Sequence, residues 1–260
     1  MSTINHDKVY QQSFQFNTIA VVESPYQEKF AIPRQPNLVS EAQGKVILVG
    51  QANQKELIRD IEQYSHLWLL FIFHGTQQQG WKPLVRPPRL GGNSKTGVLA
   101  TRSTFRPNPI GMSVVKLDKV SFEDKQTILH ISGLDLLNGT PIIDIKPYIP
   151  YSDAINDAHA GFAQTEPQRK LTVTFTEQAQ KEVEQLQNMP HSTYGNLSRL
   201  ISQILAQDPR PAYKQGKNDD KLYGMRLYDL NIQWKLSTLL QVQVLNITKE
   251  PSSLHNLKNT

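Results

Sequence analysis

From Phe14 to Ile145 the chain is a succession of short strand-like runs cut apart by Gly, Pro and Asn, with one helix signal among them. Phe14, Phe16, Thr18, Ala20 and Val22 alternate with mostly polar neighbours, the period-two mark of a half-buried strand. Further strand-like runs fall at 45–50, 67–73, 97–101, 113–120, 126–132 and 141–145. Asn53 with Glu56 three residues on reads as a capping-box variant, and Leu57, Ile58, Ile61 and Tyr64 make one apolar face, which predicts a helix over 53–64. Many short strands with so little helix cannot be wound as alternating βαβ units. They favour a closed or strongly bent sheet, and a β-barrel is the expected core.

The pattern changes after the middle. Residues 150–170 lose periodicity and read as a connector. A strand at 171–175 then leads to a helix capped by Thr176 with Ala179, Val183 and Leu186 on one face. A second helix carries Leu197, Leu200, Ile201, Ile204 and Leu205 at helical spacing. Strand-like runs at 222–228, 231–236 and 240–247 follow. The fold class predicted is mainly β with α+β. It comprises a flexible extension over 1–12, a barrel domain over 13–165 and a small α+β domain over 166–260.

The longest charge-free apolar run, 67–73, is far short of the roughly 20 residues a spanning helix needs, so no membrane association is expected. The first twenty residues hold His6, Asp7 and Lys8 and no continuous apolar segment, and a cytoplasmic address is expected. With no cysteine among 260 residues, thiol nucleophiles, thiolate zinc sites and iron–sulfur clusters are excluded.

Fifty-five consecutive residues, 63–117, contain no Asp or Glu, whereas Lys82, Arg86, Arg89, Lys95, Arg102, Arg106 and Lys116 all fall inside. These cations sit largely among Pro and Gly, where no helical neighbour can neutralise them, so the stretch reads as an anion-binding face. Trp81, the Arg86-Pro87-Pro88-Arg89 run and the Phe105-Arg106-Pro107-Asn108-Pro109 run add an aromatic and a proline-stiffened backbone, which lowers the entropy lost on binding. Guanidinium groups pair bidentately with phosphate, and an RNA loop with splayed bases is one candidate ligand. Pro33-Arg34-Gln35-Pro36, Asp144-Ile145-Lys146-Pro147-Tyr148 and Asp208-Pro209-Arg210-Pro211-Ala212-Tyr213-Lys214 each read alone as a turn first, and their repeated Arg/Lys-Pro chemistry points towards function.

Other signatures fail. Gly92 to Gly97 has the glycine spacing of a phosphate loop, but Val98-Leu99 stands where Lys-Ser/Thr is required. No GxGxxG follows a strand, and GxSxG and HExxH are absent. His66 and His74, eight apart on an expected strand, would lie about 26 Å apart, too far to share a metal. No metal is expected. His66 reads as a strand-start residue with a satisfied hydrogen bond, and His74, at the strand end next to Gly75, as either a plain strand-end residue or a pocket wall.

Taken in order, Ser24-Pro25-Tyr26, Pro33-Arg34-Gln35, Ser65-His66-Leu67-Trp68, Arg86 to Gly92, Gly97-Val98, Arg106-Pro107-Asn108-Pro109-Ile110-Gly111, Asp144 to Tyr148 and Asp208 to Tyr213 resemble the TrmO (TsaA-like, YaeB-like) family. The family comprises tRNA methyltransferases that use S-adenosylmethionine to methylate N6 of threonylcarbamoyladenosine at position 37, in the anticodon stem-loop. The resemblance runs from about Phe14 to the final strands, leaving the first residues and the tail after Lys249 outside.

What it implies is a non-Rossmann β-barrel core, a smaller C-terminal domain and a homodimer with the cofactor near the subunit interface. S-adenosylmethionine would be held by Pro33, Arg34, Gln35, His74, Gly75, Arg102, Met112, Ser132, Gly133, Leu134 and Asp135. Asp135, Asp144 and Tyr148 are the candidates to accept the N6 proton. Arg86, Arg89, Arg106, Asn108 and Lys146 are assigned to tRNA phosphates or the threonyl carboxylate, and Asp208, Arg210 and Tyr213 would extend that surface. A non-catalytic RNA-binding module and an enzyme acting on a small phosphorylated metabolite are the competing readings.

Overall fold

The computed structural model describes residues 12–91, 93–167 and 171–250. The expected extension up to residue 11, Gly92, the end of the connector and the tail after residue 250 lie outside the described residues.

Six antiparallel strands build the first sheet: β1 (Ala20–Glu23), β2 (Gln43–Leu48), β3 (His66–Ile72), β6 (Ile110–Glu123), β7 (Gln126–Ser132) and β8 (Pro141–Pro147). They follow the order β1-β2-β7-β6-β3-β8, and β8 returns to β1 through Ala20 opposite Ile142 and Val21 opposite Pro141, so the sheet closes on itself. Closure removes the free edges that an open sheet would leave. A separate hairpin, β4 (Leu84–Val85) with β5 (Thr96–Gly97), stands in the basic stretch.

After one helical turn, α1 (Pro150–Asp153), the chain forms a second sheet in the order β10-β11-β12-β9. Its strands are β9 (Thr172–Phe175), β10 (Tyr223–Leu227), β11 (Leu230–Thr238) and β12 (Gln241–Lys249), with β9 parallel to β12. Helices α2 (Glu177–Gln187) and α3 (Leu197–Leu205) pack on it. Thr176 caps α2 as expected, its hydroxyl accepting from the Ala179 amide at 3.1 Å. Ala179, Val183 and Leu186 are buried, as are all five apolar residues expected to face inward from α3. One contiguous apolar core runs through both sheets.

Three expectations fail locally. Residues 53–64 form short 3₁₀ turns, Lys55–Ile58 and Ile61–Gln63, instead of one α-helix. Asp60 between them is left-handed (φ 66°), which no continuous helix tolerates, and Asn53 spends its amide on the β6–β7 turn. It accepts from the Thr127 amide (2.9 Å) and donates to the Lys125 carbonyl (2.8 Å). Leu57 and Tyr64 are exposed. The strand expected from Phe14 begins only at Ala20, and Phe14 and Phe16 are exposed, because alternation forms a strand only where a partner lies opposite. The run at 97–101 is mostly a 3₁₀ turn, Val98–Ala100.

Candidate active site

Strands β3 and β6 reach one rim of the closed sheet together, Phe71 opposite Gly111 and Ile72 opposite Ile110. Four loops meet above that rim: 29–37, the 3₁₀ turn His74–Gln79, 98–109 before β6, and 133–140 after β7. They enclose a cavity of about 500 Å³. Its walls are largely apolar, including Ile72, Phe73, Ile110, Met112 and Leu137, with a few polar groups converging, the pattern of a small-ligand site. The Phe71 and Phe73 rings meet edge to face with centroids 5.2 Å apart. Gly111 makes room for them: a Cβ there would sit 2.4 Å from two Phe71 ring carbons and 2.8 Å from a Phe73 carbon. Gly111→Ala is therefore expected to cost about 1–3 kcal/mol and to push the ring pair into the cavity. A thermal melt reads this as a fall in Tm, and an unchanged Tm would show that the rings are free to move aside.

Asp135 is the acidic side chain in the cavity wall. The Ser113 hydroxyl, on the inward face of β6, donates to its Oδ1 at 2.5 Å. Burial pushes the carboxyl up to about 6, against the Ser113 hydrogen bond, a backbone hydrogen bond and the Arg102 charge, which pull it down. The group is thus ionised at neutral pH and close enough to its pKa to exchange a proton there.

The loop that presents Asp135 is stitched to the end of β1. Ser24 Oγ donates to the Leu136 carbonyl (2.7 Å), and the Asn138 amide donates to the Tyr26 carbonyl (2.8 Å). The same segment meets the second sheet: the Tyr228 amide donates to the Pro25 carbonyl (2.8 Å), and Tyr26 bridges Leu227.

Of the residues singled out in the sequence, Pro33, Arg34, Gln35, His74, Gly75, Arg102, Arg106, Met112 and Asp135 line this one cavity. Arg102 spans its mouth, Nη1 donating to Gln35 Oε1 at 2.7 Å. Arg106 is turned to its own loop, Nη1 donating to the Thr101 carbonyl at 3.0 Å. Ser132, Gly133 and Leu134 stand behind the wall. Gly133, at φ 73°, donates to the Ala42 carbonyl and accepts from the Asn37 amide, so it ties the 29–37 loop to Asp135. Leu134 is fully buried, and Ser132 donates to Asp118 at 3.2 Å.

The expected proton acceptors Asp144 and Tyr148 do not line the cavity. Asp144 lies opposite Leu70 on the outer face of β8 and pairs with Lys146 at 2.8 Å. Tyr148 lies at the far end of β3, its amide donating to the His66 carbonyl and its ring packed on His66 and Trp68. Arg86, Arg89 and Asn108 are exposed on the surrounding loops, and Arg89 donates to the Thr165 carbonyl at 2.6 Å. Tyr213 is exposed.

Asp208 and Arg210 do not extend that surface. Both are 2% exposed and form an internal pair, Arg210 Nε and Nη2 donating to the two Asp208 oxygens at 2.8 Å each. Arg210 Nη1 donates to the Lys217 carbonyl at 3.1 Å, which leaves the guanidinium nothing to offer outside.

Ser113, Phe73 and Lys29 belong to the site and carry no sequence signal of it. Ser113 is one inward position of an ordinary alternating strand, and Lys29 lies upstream of the acid-free stretch. Among the described residues no group of three His, Asp or Glu side chains is placed to hold a metal ion. A half-buried carboxylate sharing a largely apolar cavity with guanidinium groups suits a ligand that carries both charge signs.

The model of the tRNA-methyltransferase O N-terminal domain matches residues 21–154, and that of the TrmO C-terminal domain matches residues 168–250. The chain is 49% identical over 225 residues to a tRNA (adenine(37)-N6)-methyltransferase of Escherichia coli, covering 86% of this chain and 94% of that protein. It is 44% identical over 229 residues to a putative S-adenosylmethionine-dependent methyltransferase of Pseudomonas aeruginosa, covering 88% and 95%. A crystal structure of TrmO from Pseudomonas aeruginosa superposes with a TM-score of 0.75 at 40% identity, covering 92% of this chain and 99% of that one.

Proposed function

The chain belongs to the tRNA-methyltransferase O family, and from that membership we propose that it transfers a methyl group from S-adenosylmethionine to N6 of adenosine 37 of tRNA, modified there as threonylcarbamoyladenosine. The observation that carries the reading is the half-buried, hydrogen-bonded Asp135 set in a largely apolar cavity. Bound S-adenosylmethionine supplies an electrophilic methyl on a sulfonium. The lone pair of N6 is delocalised into the carbonyl beside it, so removal of the N6 proton is the help the protein can give. The Asp135 carboxylate accepts that proton as the N–C bond forms and the S–C bond breaks. The Ser113 hydroxyl fixes the carboxylate's orientation. Arg34, Arg102 and Gln35 are placed to hold the cofactor's carboxylate, while His74, Gly75 and Met112 wall its apolar parts. The cavity holds donor and acceptor together, where most of the barrier lowering is available.

The reading divides the chain into a β-barrel catalytic domain over 13–165 and an α+β domain over 166–260, supported by family models that stop at 154 and resume at 168. It takes the enzyme to work in the cytoplasm as a homodimer. Supporting the dimer, Trp68, Leu70 and Ile72 of β3 and Ile110, Met112 and Val114 of β6 point outward in three cross-strand pairs, an apolar strip on the outer face of the sheet. Met112 belongs to both the strip and the cavity, so a second copy would complete the site. No described helix is long and apolar enough to cross a membrane.

Tritium from labelled S-adenosylmethionine should pass to unfractionated tRNA, and nucleoside mass spectrometry should find it on threonylcarbamoyladenosine. Cofactor binding by calorimetry without any transfer to tRNA would overturn the reading, as would a chain that binds RNA and gives no heat with the cofactor.

A further inference from the structure

A second cavity of about 250 Å³ lies in the seam between the two halves, bounded by 29–39 and Pro88 on one side and by 204–211 on the other. It shares the wall Lys29, Ile32, Pro33 and Arg34 with the candidate active site, so the two open on either side of one loop. Charge in the seam is one-sided. Asp208, its acidic lining residue, is cancelled by the buried Arg210. Lys29 and Arg34 form no ion pair among the described residues. Asp208 also attracts Arg34, and Arg89 is near enough to repel it. Lys29 and Arg34 thus face the seam with one carboxylate beside them, Asp208, which is already bonded to Arg210, and with the flat apolar surfaces of Phe30, Pro88 and Pro209. Such a site is complementary to an anion carried on an apolar or stacking body, and a nucleotide unit of RNA is that.

We propose that the seam is a phosphate subsite: Lys29 binds one phosphodiester of the RNA strand that flanks the base held in the active cavity, while Arg34 beside it serves the cofactor on the other side of the loop. The inference rests on the tRNA-methylating reading and deepens it. Because 204–211 form half the seam, the C-terminal half becomes part of the RNA site even though its own arginine is buried.

The test uses the full chain and a synthetic anticodon stem-loop. Each phosphate flanking the target adenosine is replaced in turn by an uncharged methylphosphonate, and binding is measured by fluorescence anisotropy across a salt series. Removing one contact to single-stranded RNA should lower the log-log salt slope by about 0.7, a loss of about fourfold at 0.15 M salt. Lys29→Ala should show that loss on unmodified RNA and none beyond it on one particular methylphosphonate RNA, and Lys29→Arg should restore binding. An unchanged slope in Lys29→Ala overturns the subsite. Additive losses at every methylphosphonate position also overturn it, since they would mean diffuse attraction. In both cases methylation by the unaltered protein leaves the enzymatic reading intact. An unaltered protein that neither binds nor methylates tRNA overturns that reading itself, and the subsite with it.

Discussion

Asp135→Asn is expected to slow methyl transfer by about 10²–10⁴-fold while stabilising the folded protein by about 1–3 kcal/mol at pH 7.5. Both effects come from the same partly buried carboxylate. Its pKa in the fold, about 6, lies above its ordinary 3.8, so the folded state holds on to a proton that the unfolded chain releases. Stability contributed by this group therefore falls as pH rises from about 4 to about 6, and above that the full cost of an ionised buried carboxylate is present. Asparagine removes the charge and can still accept from Ser113, so the gain appears at pH 7.5 and vanishes below about pH 4. Activity runs the other way: kcat/KM of the unaltered enzyme should climb through an apparent pKa near 6 as the base form appears. Urea denaturation at two pH values, together with single-turnover rates, measures both. A variant that is no more stable and turns over normally would remove Asp135 from catalysis.

Asp208→Ala is expected to cost about 3–5 kcal/mol, because it leaves the Arg210 guanidinium buried and uncompensated. Desolvation makes a lone buried charge far worse than none, so a double replacement by apolar residues of similar volume should be milder than the single one. Arg34 should also feel the change, since Asp208 is the charge that favours its protonated state. Equilibrium unfolding in urea reads the loss. If the single variant were as stable as the double, the pair would not be sealed from solvent.

Periodicity carried most of the fold. The β7 boundaries, the Thr176 cap and the buried stripe of α3 follow directly from spacing, because each depends on neighbours in sequence. The helix expected at 53–64 fails where a long-range contact competes, Asn53 bonding across to the β6–β7 turn. The site divides in the same way. Acid-free composition pointed to Arg102 and Arg106, but not to which face of β8 would carry Asp144. Alternation says that successive residues face apart, and only the register against Leu70 decides which side is outside. Arg210 reads as a surface cation because nothing local shows that Asp208, two residues back with φ 52°, closes on it and takes it inward.

The strap at 24–26 joins two things that are distant in sequence. It is bonded on one flank to the loop bearing Asp135 and on the other to β10 and the turn that follows it. The position of the Asp135 loop is therefore tied to both sheets, and a shift of one against the other would have to break or carry along these bonds.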